Sequence, residues 1–560
     1  MRTCDSASPT LTYARDRVVA ELQALYALRA HGESGATSLM APPGSDQALV
    51  VLCRLDRSPD LQQWCRQQGL DLVKPPPLPA QGYHIVCRAK PARVVIAADS
   101  DVGVWYGACA WLDSLQEKDG RVLMPVGIAS DGPALAIRFS RGMGSGAPGT
   151  RWQQAMTSLD WWARWRMNVA HTDGFSGKAL QDYLAEAHKR GIRVVRGLGV
   201  RNLCAADDAA LAARVEEVRN FLQLGGDGVS MLWDDLPHDR CRGHCERCRA
   251  RFGTNSLPYE IVHILEAICS AAGPASAKPL VLWCPPHYSE SRYPEMPDET
   301  FFRVIGASEP VRRQTHMYFC EFAPEKTLLL DQLGITNRVW WYNGLRTVYH
   351  VSHHWPTEPG MKLSLPGVRS LDGPDFARFE VGWKTGIGVC DDGNVLPVPA
   401  KTWQDLQTLP SRYQGYYPCT AGHPYHAAIS GLYAFSPAHF DQAQADRVVF
   451  RAIFGPGSAV PARAWSDTYV GLQIWLSQSV QSNATQPRTA EAQRRIEQWR
   501  AYARQVQACA SADRTLLPQP MVQSALARMT EAENRIERIL HDWTTGALIS
   551  QPQAKVDAEH

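Results

Sequence analysis

The residues best placed to do chemistry stand side by side, at Asp234 and Asp235. They close an apolar run, Val229-Ser-Met-Leu-Trp233, that reads as a buried strand. Pro237 stops it, because proline has no N–H to give to a ladder. Two adjacent carboxylates resist ionising together, so one of a pair is favoured as a proton donor and the other as an anion. Cleaving a glycosidic bond needs that division of labour: a proton for the leaving oxygen, and a group that stabilises or traps positive charge at the anomeric carbon. An Asp-Asp pair after a strand is also an ordinary turn or helix cap. What decides between these readings is the fold around the pair.

Strand-like runs recur at 137–143, 168–173, 192–200, 229–235, 279–284, 315–322, 338–343 and 386–393. Helical patterns lie between them at 152–166, 180–190, 209–224, 259–272, 326–333 and 376–384, and only the interval between the fifth and sixth strands is weak. The alternation predicts an α/β fold, a (β/α)8 barrel spanning 135–425. Such barrels carry their active sites at the C-terminal strand ends. There stand Arg141 and Gly142, His171 and Asp173, Asp234 and Asp235, His287 and Tyr288, Glu321, Asn343, and Asp391, Asp392 and Asn394. A packed core would not put polar residues there strand after strand.

The length of 560 residues suggests about three domains. Residues 1–134 read as a small α+β domain: a helix at 13–30, strands at 48–53, 82–87 and 93–97, and helices at 61–68 and 108–116. Residues 426–547 read as a helical bundle, with helices at 446–454, 464–479, 490–508 and 521–543, and 548–560 as a disordered tail. A net charge of +2 with no long basic run gives no electrostatic support for nucleic acid. No stretch reaches the length of a membrane span. The first residues, Met1-Arg-Thr-Cys-Asp-Ser, lack the apolar core of a secretory signal, and 15 scattered cysteines fit reduced thiols, so a cytoplasmic location is expected. The 18 tryptophans offer flat apolar faces suited to sugar rings, though most will serve as core. No cofactor is expected. The exception to consider is a structural zinc on Cys241, His244, Cys245 and Cys248, a Cys-x3-Cys-x2-Cys spacing just after the acids.

Several of these segments resemble known sugar-active enzymes. Gly82-Tyr83-His-Ile, Val94-Val-Ile-Ala and Gly103-Val104-Trp-Tyr106-Gly107, followed by Asp131-Gly-Pro133 and Arg138, are similar to the small domain preceding the barrel in hexosaminidases, O-GlcNAc hydrolases and α-glucuronidases. Leu232-Trp233-Asp234-Asp235-Leu236 resembles the adjacent-Asp signature of glycoside hydrolase family 84, the O-GlcNAc hydrolases and bacterial β-N-acetylglucosaminidases. That resemblance implies that Asp234 polarises the sugar's 2-acetamido group and that Asp235 is general acid, then base. Trp283-Cys284-Pro285-Pro286-His287-Tyr288 resembles the family's Cys-Pro-Thr-Glu-Tyr segment, implying that Tyr288 bonds the acetamido oxygen. Val339-Trp-Trp-Tyr-Asn343 resembles its Trp-Asp-Asn, implying a role for Asn343 at the acetamido nitrogen or the acid. The chain departs from the family where sugar hydroxyls are read. Leu345-Arg346-Thr347 stands near the place of an Asp, Gly142-Met143-Gly144 replaces Gly-Phe-Tyr-Gly, and His171-Thr-Asp173 replaces a Lys.

The expectation is a glycosidase that removes β-linked N-acetylhexosamine from a carbohydrate or glycoconjugate through an oxazoline, with a homodimer as one assembly. One alternative is a glycosidase acting on a non-acetylated or acidic sugar with Asp235 and Glu321. Another is a carbohydrate-binding protein on an inactive barrel.

Overall fold

A computed structural model of the chain describes residues 2–3, 8–34, 48–56, 63, 81–90, 92–119, 121–139, 149–172, 174–234, 236–237, 240, 243–273, 279–287, 296–319, 324–342, 414–418, 424–465, 467–468, 472, 489–510 and 514–544. The N-terminal part is built on strands β1 (Arg2–Thr3), β2 (Glu33–Ser34), β3 (Leu49–Arg54), β4 (Tyr83–Arg88), β5 (Arg93–Ala98) and β8 (Gly127–Asp131). They form one mixed sheet in the order β2-β1-β3-β5-β4-β8, and β6 (Gln116–Lys118) with β7 (Arg121–Leu123) makes a separate hairpin. The continuous apolar runs of β3 to β5 are buried along nearly their whole length, and helices Pro9–Tyr26 and Asp101–Ser114 pack on the face that carries Val50, Leu52, Ile85, Val94 and Ile96.

Each of those helices starts at a serine whose hydroxyl takes a first-turn N–H: Ser8 from Leu11 at 3.1 Å and Ser100 from Gly103 at 3.0 Å. The second helix begins at Asp101, seven residues before the expected 108, so the Gly103-Val-Trp-Tyr-Gly107 motif lies inside it. Gly103 is there for closeness: a Cβ would stand 2.5 Å from the Gly82 carbonyl oxygen.

A second sheet holds β9 (Ile137–Arg138), β10 (Val169–His171), β11 (Arg193–Leu198), β12 (Gly228–Leu232), β13 (Leu280–Cys284), β14 (Thr315–Phe319), β15 (Arg338–Tyr342) and β16 (Gly415–Pro418). All eight are parallel, in the order β10-β11-β12-β13-β14-β15-β16-β9, and a bridge from Phe139 to Val169 links the two ends of that row. Helices Arg151–Arg164, Gly177–Lys189, Asp208–Gln223, Leu257–Ala272 and Pro324–Gln332 alternate with the strands, as in a TIM-like domain. The weak interval between β13 and β14 holds two short helices, Asp298–Ala307 and Glu309–Gln314.

The period-two alternation of a strand sorts the core. On β13, Leu280, Leu282 and Cys284 join Ile137, Phe139, Val169, Val195, Tyr318 and Val339 in one cluster. Val281 and Trp283 face the opposite way, into the larger core shared with the helices.

One expectation moves. The place between β15 and β9, expected for 386–393, is taken by Gly415-Tyr-Tyr-Pro418, while 386–393 and the helix expected at 376–384 lie outside the described residues. Both candidates are short runs opened by glycine within about 30 residues, and nothing in their patterns ranks them. The helix expected at 61–68, most of that at 464–479, and the tail also lie outside the described residues.

Buried charge joins the N-terminal sheet to the parallel sheet. Arg138, wholly buried, donates to the carbonyls of Arg166 (2.7 Å) and Leu135 (2.6 Å), and to Gln81 Oε1 (3.1 Å) and the Tyr106 hydroxyl (3.2 Å). Arg164 makes a two-point contact with Glu21 (2.8 and 2.7 Å), and Asp113 receives both Arg164 (2.7 Å) and Arg166 (2.6 Å). Burial alone would raise the Asp113 carboxyl, but the two guanidinium groups outweigh it and hold it below the ordinary carboxylate range.

Helices Pro424–Phe435, Gln442–Phe454, Thr489–Ala510 and Gln519–Thr544 make up the C-terminal part. The first is tied to the core by Trp161 Nε1, which donates to the Pro424 carbonyl at 2.8 Å. No helix among the described residues is long and apolar enough to cross a membrane.

Candidate functional site

Because the eight strands are parallel, their C-terminal ends gather on one side, and the segments leaving β11 and β12 meet there. β12 can lie close to β13 because Gly228 carries no side chain: a Cβ would stand 2.1 Å from the Leu280 carbonyl oxygen. Register then places Leu232 beside Cys284, and Trp233 N–H donates to the Cys284 carbonyl at 2.9 Å. Trp233 meets Trp283 edge to face at 6.2 Å, and Trp283 Nε1 donates to Thr315 Oγ1 at 3.0 Å. The residue before the acids is therefore anchored at two points on β13, whose Trp283 is in turn held by Thr315 of β14, and this fixes where Asp234 leaves the sheet.

Asp234 is 8% exposed. Its Oδ1 accepts from Arg201 Nη2 at 2.5 Å, and the Arg201 side chain is 46% exposed. A charged donor on one oxygen orients the carboxylate and leaves its other oxygen for a further donor. Arg201 is a residue that strand-end reasoning missed. It stands three residues beyond the end of β11, and its signal was only an arginine following the apolar run 192–200.

The two loops are knitted further. Arg240 donates to the Arg201 carbonyl and contacts His244 at Nδ1, and Arg240 Nη1 reaches the His244 carbonyl at 3.2 Å. Burial, and then the charge of Arg240, hold the His244 imidazole below its ordinary range, so its ring nitrogen serves as an acceptor for the guanidinium. The His244 backbone N–H donates to Glu260 Oε1 at 3.0 Å, and the Ser256 hydroxyl donates to the same oxygen at 2.6 Å.

His171 lies half-buried at the end of β10, its ring 4.9 Å from that of Phe139 and its carbonyl accepting from the Tyr183 hydroxyl at 3.0 Å. His287, expected to touch substrate, is instead wholly buried. Its Nδ1 pairs with Asp298 at 2.7 Å and its ring stacks on Phe301 at 4.5 Å. Helix Asp298–Ala307 explains the difference: its Phe301 gives the imidazole an apolar bed, and Asp298 in the first turn gives it a partner. His287 thus anchors the loop after β13.

Asp235, Tyr288, Asn343, Arg141, Gly142, Asp173, Glu321, Asp391 and Asn394 lie outside the described residues, as does Cys241. Cys245 and Cys248 come together, and Cys204 joins them, with Sγ–Sγ distances of 3.4 Å to Cys245 and 3.6 Å to Cys248. His244 is not among the ligand atoms of that group. Cys204 lies 41 residues upstream of Cys245, too far for a spacing motif to include it.

The site can therefore present an oriented, largely buried carboxylate at a parallel strand end, followed in the chain by a second carboxylate. The sequence matches no protein-family model and no curated protein. Among solved structures, the fold is similar to that of CpGH84B, with a TM-score of 0.61 over 97% of this chain and 87% of that one, at 9% identity. It also overlaps a mutant of the Thermobaculum terrenum O-GlcNAc hydrolase (TM-score 0.46, 74% and 85% of the two chains, 11% identity). A third overlap is with the β-N-acetylhexosaminidase of Bacteroides fragilis (TM-score 0.38, 61% and 70%, 13% identity). The likeness to CpGH84B speaks for the fold, an α/β arrangement with a parallel sheet, and the two lower scores add nothing to it.

Proposed function

We propose that the chain is a retaining glycoside hydrolase that removes β-linked N-acetylhexosamine by using the sugar's own acetamido group. The observation that carries this reading is Asp234. It is buried at the C-terminal end of the fourth strand, held by Arg201, and adjacent in sequence to Asp235. Support also comes from the likeness in fold to CpGH84B and from the resemblance of the segments around Asp234, Tyr288 and Asn343 to the family 84 motifs.

In this reading the strands close into a (β/α)8 barrel within 135–425, between an α+β unit at 1–134 and a helical unit at 426–547. Asp235 protonates the glycosidic oxygen as the C1–O bond breaks. The acetamido carbonyl oxygen attacks C1, and Asp234 accepts the N–H of that amide as the oxazoline forms. Arg201 keeps Asp234 oriented for this task. Water, giving its proton to Asp235, then opens the ring at C1, so the configuration is retained. Tyr288 bonds the acetamido oxygen and Asn343 the nitrogen side. Arg141, Gly142, His171, Asp173, Glu321, Asp391 and Asn394 line the remainder of the sugar site. The protein works in the cytoplasm and needs no catalytic cofactor.

The test is hydrolysis of aryl N-acetyl-β-glucosaminide and N-acetyl-β-galactosaminide with and without a thiazoline that mimics the oxazoline. Turnover that the thiazoline stops supports the reading. Turnover indifferent to it, with covalent labelling of Glu321 by a 2-fluoro sugar, replaces it with double displacement by Asp235 and Glu321. Sugar binding without turnover replaces it with a binding protein.

A further inference from the structure

We propose that Cys204, Cys245 and Cys248 bind a soft divalent transition metal, zinc in the cell, that pins the loop after β11 to the loop after β12. The three Sγ atoms lie within 4.8 Å of one another, with Cys204 3.4 Å from Cys245 and 3.6 Å from Cys248. A disulfide brings two sulfurs to about 2.05 Å and leaves any third thiol out. Tetrahedral zinc with Zn–S bonds of about 2.3 Å holds its sulfurs about 3.8 Å apart and takes all three. The spacing found here is much closer to the second arrangement.

The local structure brings the thiols together. Cys245 caps helix Glu246–Phe252, and Cys248 follows one turn later, so a Cys-x2-Cys step aims both sulfurs to one side. Cys204 comes from the turn that leads into helix Asp208–Gln223, where its carbonyl accepts from Asp207 N–H at 3.0 Å. Ion pairs fasten the same two helices together, Arg247 to Asp207 at 3.3 Å and Arg251 to Asp208 at 2.7 Å. Cys248 is wholly buried, and Cys204 and Cys245 are partly so. Thiolates select zinc and its soft relatives over magnesium or calcium. The triad fills three of four tetrahedral positions. The His244 ring is engaged with Arg240 and is not in the group.

Binding exchanges three S–H protons for three metal–sulfur bonds and involves no redox step. Its consequence for the site comes from the chain: Cys204 is three residues from Arg201, which holds Asp234. The metal acts as a structural pin for that contact. The thiol geometry carries the inference, independently of the glycosidase reading.

The test uses the full chain, purified with a phosphine reductant and without chelator. Elemental analysis is expected to find about one zinc per chain. Cys204→Ser and Cys248→Ser should lose most of it, and Cys269→Ser, a buried cysteine on helix Leu257–Ala272, should keep it. Wild-type protein stripped with chelator and refilled with cobalt should show a thiolate-to-cobalt charge-transfer band and the intense visible bands of a tetrahedral ion. Folded wild type with neither zinc nor a cobalt spectrum overturns the proposal, as does a Cys204 disulfide to Cys245 or Cys248 in non-reduced peptide maps of metal-free protein. Should a serine variant fail to fold, the wild-type cobalt titration decides alone.

Discussion

Asp113→Ala removes the carboxylate that two buried arginines share. Arg164 would keep its two-point contact with Glu21 (2.8 and 2.7 Å), but Arg166 would lose the carboxylate at 2.6 Å and keep the face of Phe435 at 5.4 Å. The side chains of Arg164 and Arg166 are both 4% exposed, so the charge left behind stays largely desolvated. Breaking a buried pair from one side costs about 3–5 kcal/mol, because the remaining charge stays desolvated. We therefore expect Asp113→Ala to lose about 4 kcal/mol, mostly through Arg166. Asp113→Ala combined with Arg166→Met should recover most of it, leaving a deficit of about 1–2 kcal/mol, since an apolar replacement of a buried pair is often near neutral. Equilibrium unfolding in urea, followed by circular dichroism and tryptophan fluorescence, measures both. The sign with pH is fixed by the direction of the shift. The folded carboxyl sits below its unfolded value, so its contribution is complete above about pH 4 and disappears as pH falls through the folded value. A cost below about 1 kcal/mol for Asp113→Ala, with an unchanged denaturant slope, would show that the two buried arginines do not depend on this carboxylate.

Two further outcomes are expected, at the site and in the sheet beneath it. Arg201→Ala should lower turnover about tenfold to a hundredfold by releasing Asp234 from its orientation, while costing about 1–2 kcal/mol of stability, because Arg201 is half-exposed but the carboxylate it leaves behind is largely buried; steady-state kinetics and urea unfolding on the same preparation separate the two effects. His316, on β14, has its imidazole pushed down to about 4, by burial first and then by Arg193. Below about pH 6.5 the unfolded chain takes that proton and the folded one does not, so stability should fall by about 2–3 kcal/mol between pH 6.5 and 4. His316→Phe should flatten that part of the profile in thermal melts run across pH.

The layered plan was legible because its signals are periodic. The apolar runs at 168–173, 192–200, 229–235 and 279–284 became β10 to β13 with ends displaced by a few residues at most, since a strand buried on both faces needs an unbroken run. Arg138 and the Gly103 motif stand out in the sequence as landmarks. Their physical roles, a fully buried guanidinium and a close helix-to-sheet approach, needed coordinates. The eighth strand was misplaced because a four-residue strand, Gly415–Pro418, carries too little pattern to compete with another short run. Asp234 was legible as a carboxylate at a strand end. Arg201 and Cys204 were not, because their partners are 33 and 41 residues away and only the parallel packing of β11 on β12 brings them there. His287 illustrates the opposite error: its position after β13 suggested a pocket, but Phe301 and Asp298 from the next helix claim the side chain.

In the proposed mechanism the substrate's acetamido oxygen, steered by Asp234, is the nucleophile. A rate series on one aryl β-glucosaminide carrying N-acetyl, N-fluoroacetyl, N-difluoroacetyl and N-trifluoroacetyl groups tests it most directly. Each fluorine withdraws electron density from the carbonyl oxygen without changing the aglycone. If the acetamido oxygen attacks C1, kcat/KM falls steeply and steadily along the series for the wild type, and Asp234→Asn is slow on the N-acetyl member. A flat series, with Asp234→Asn as active as wild type, would contradict it.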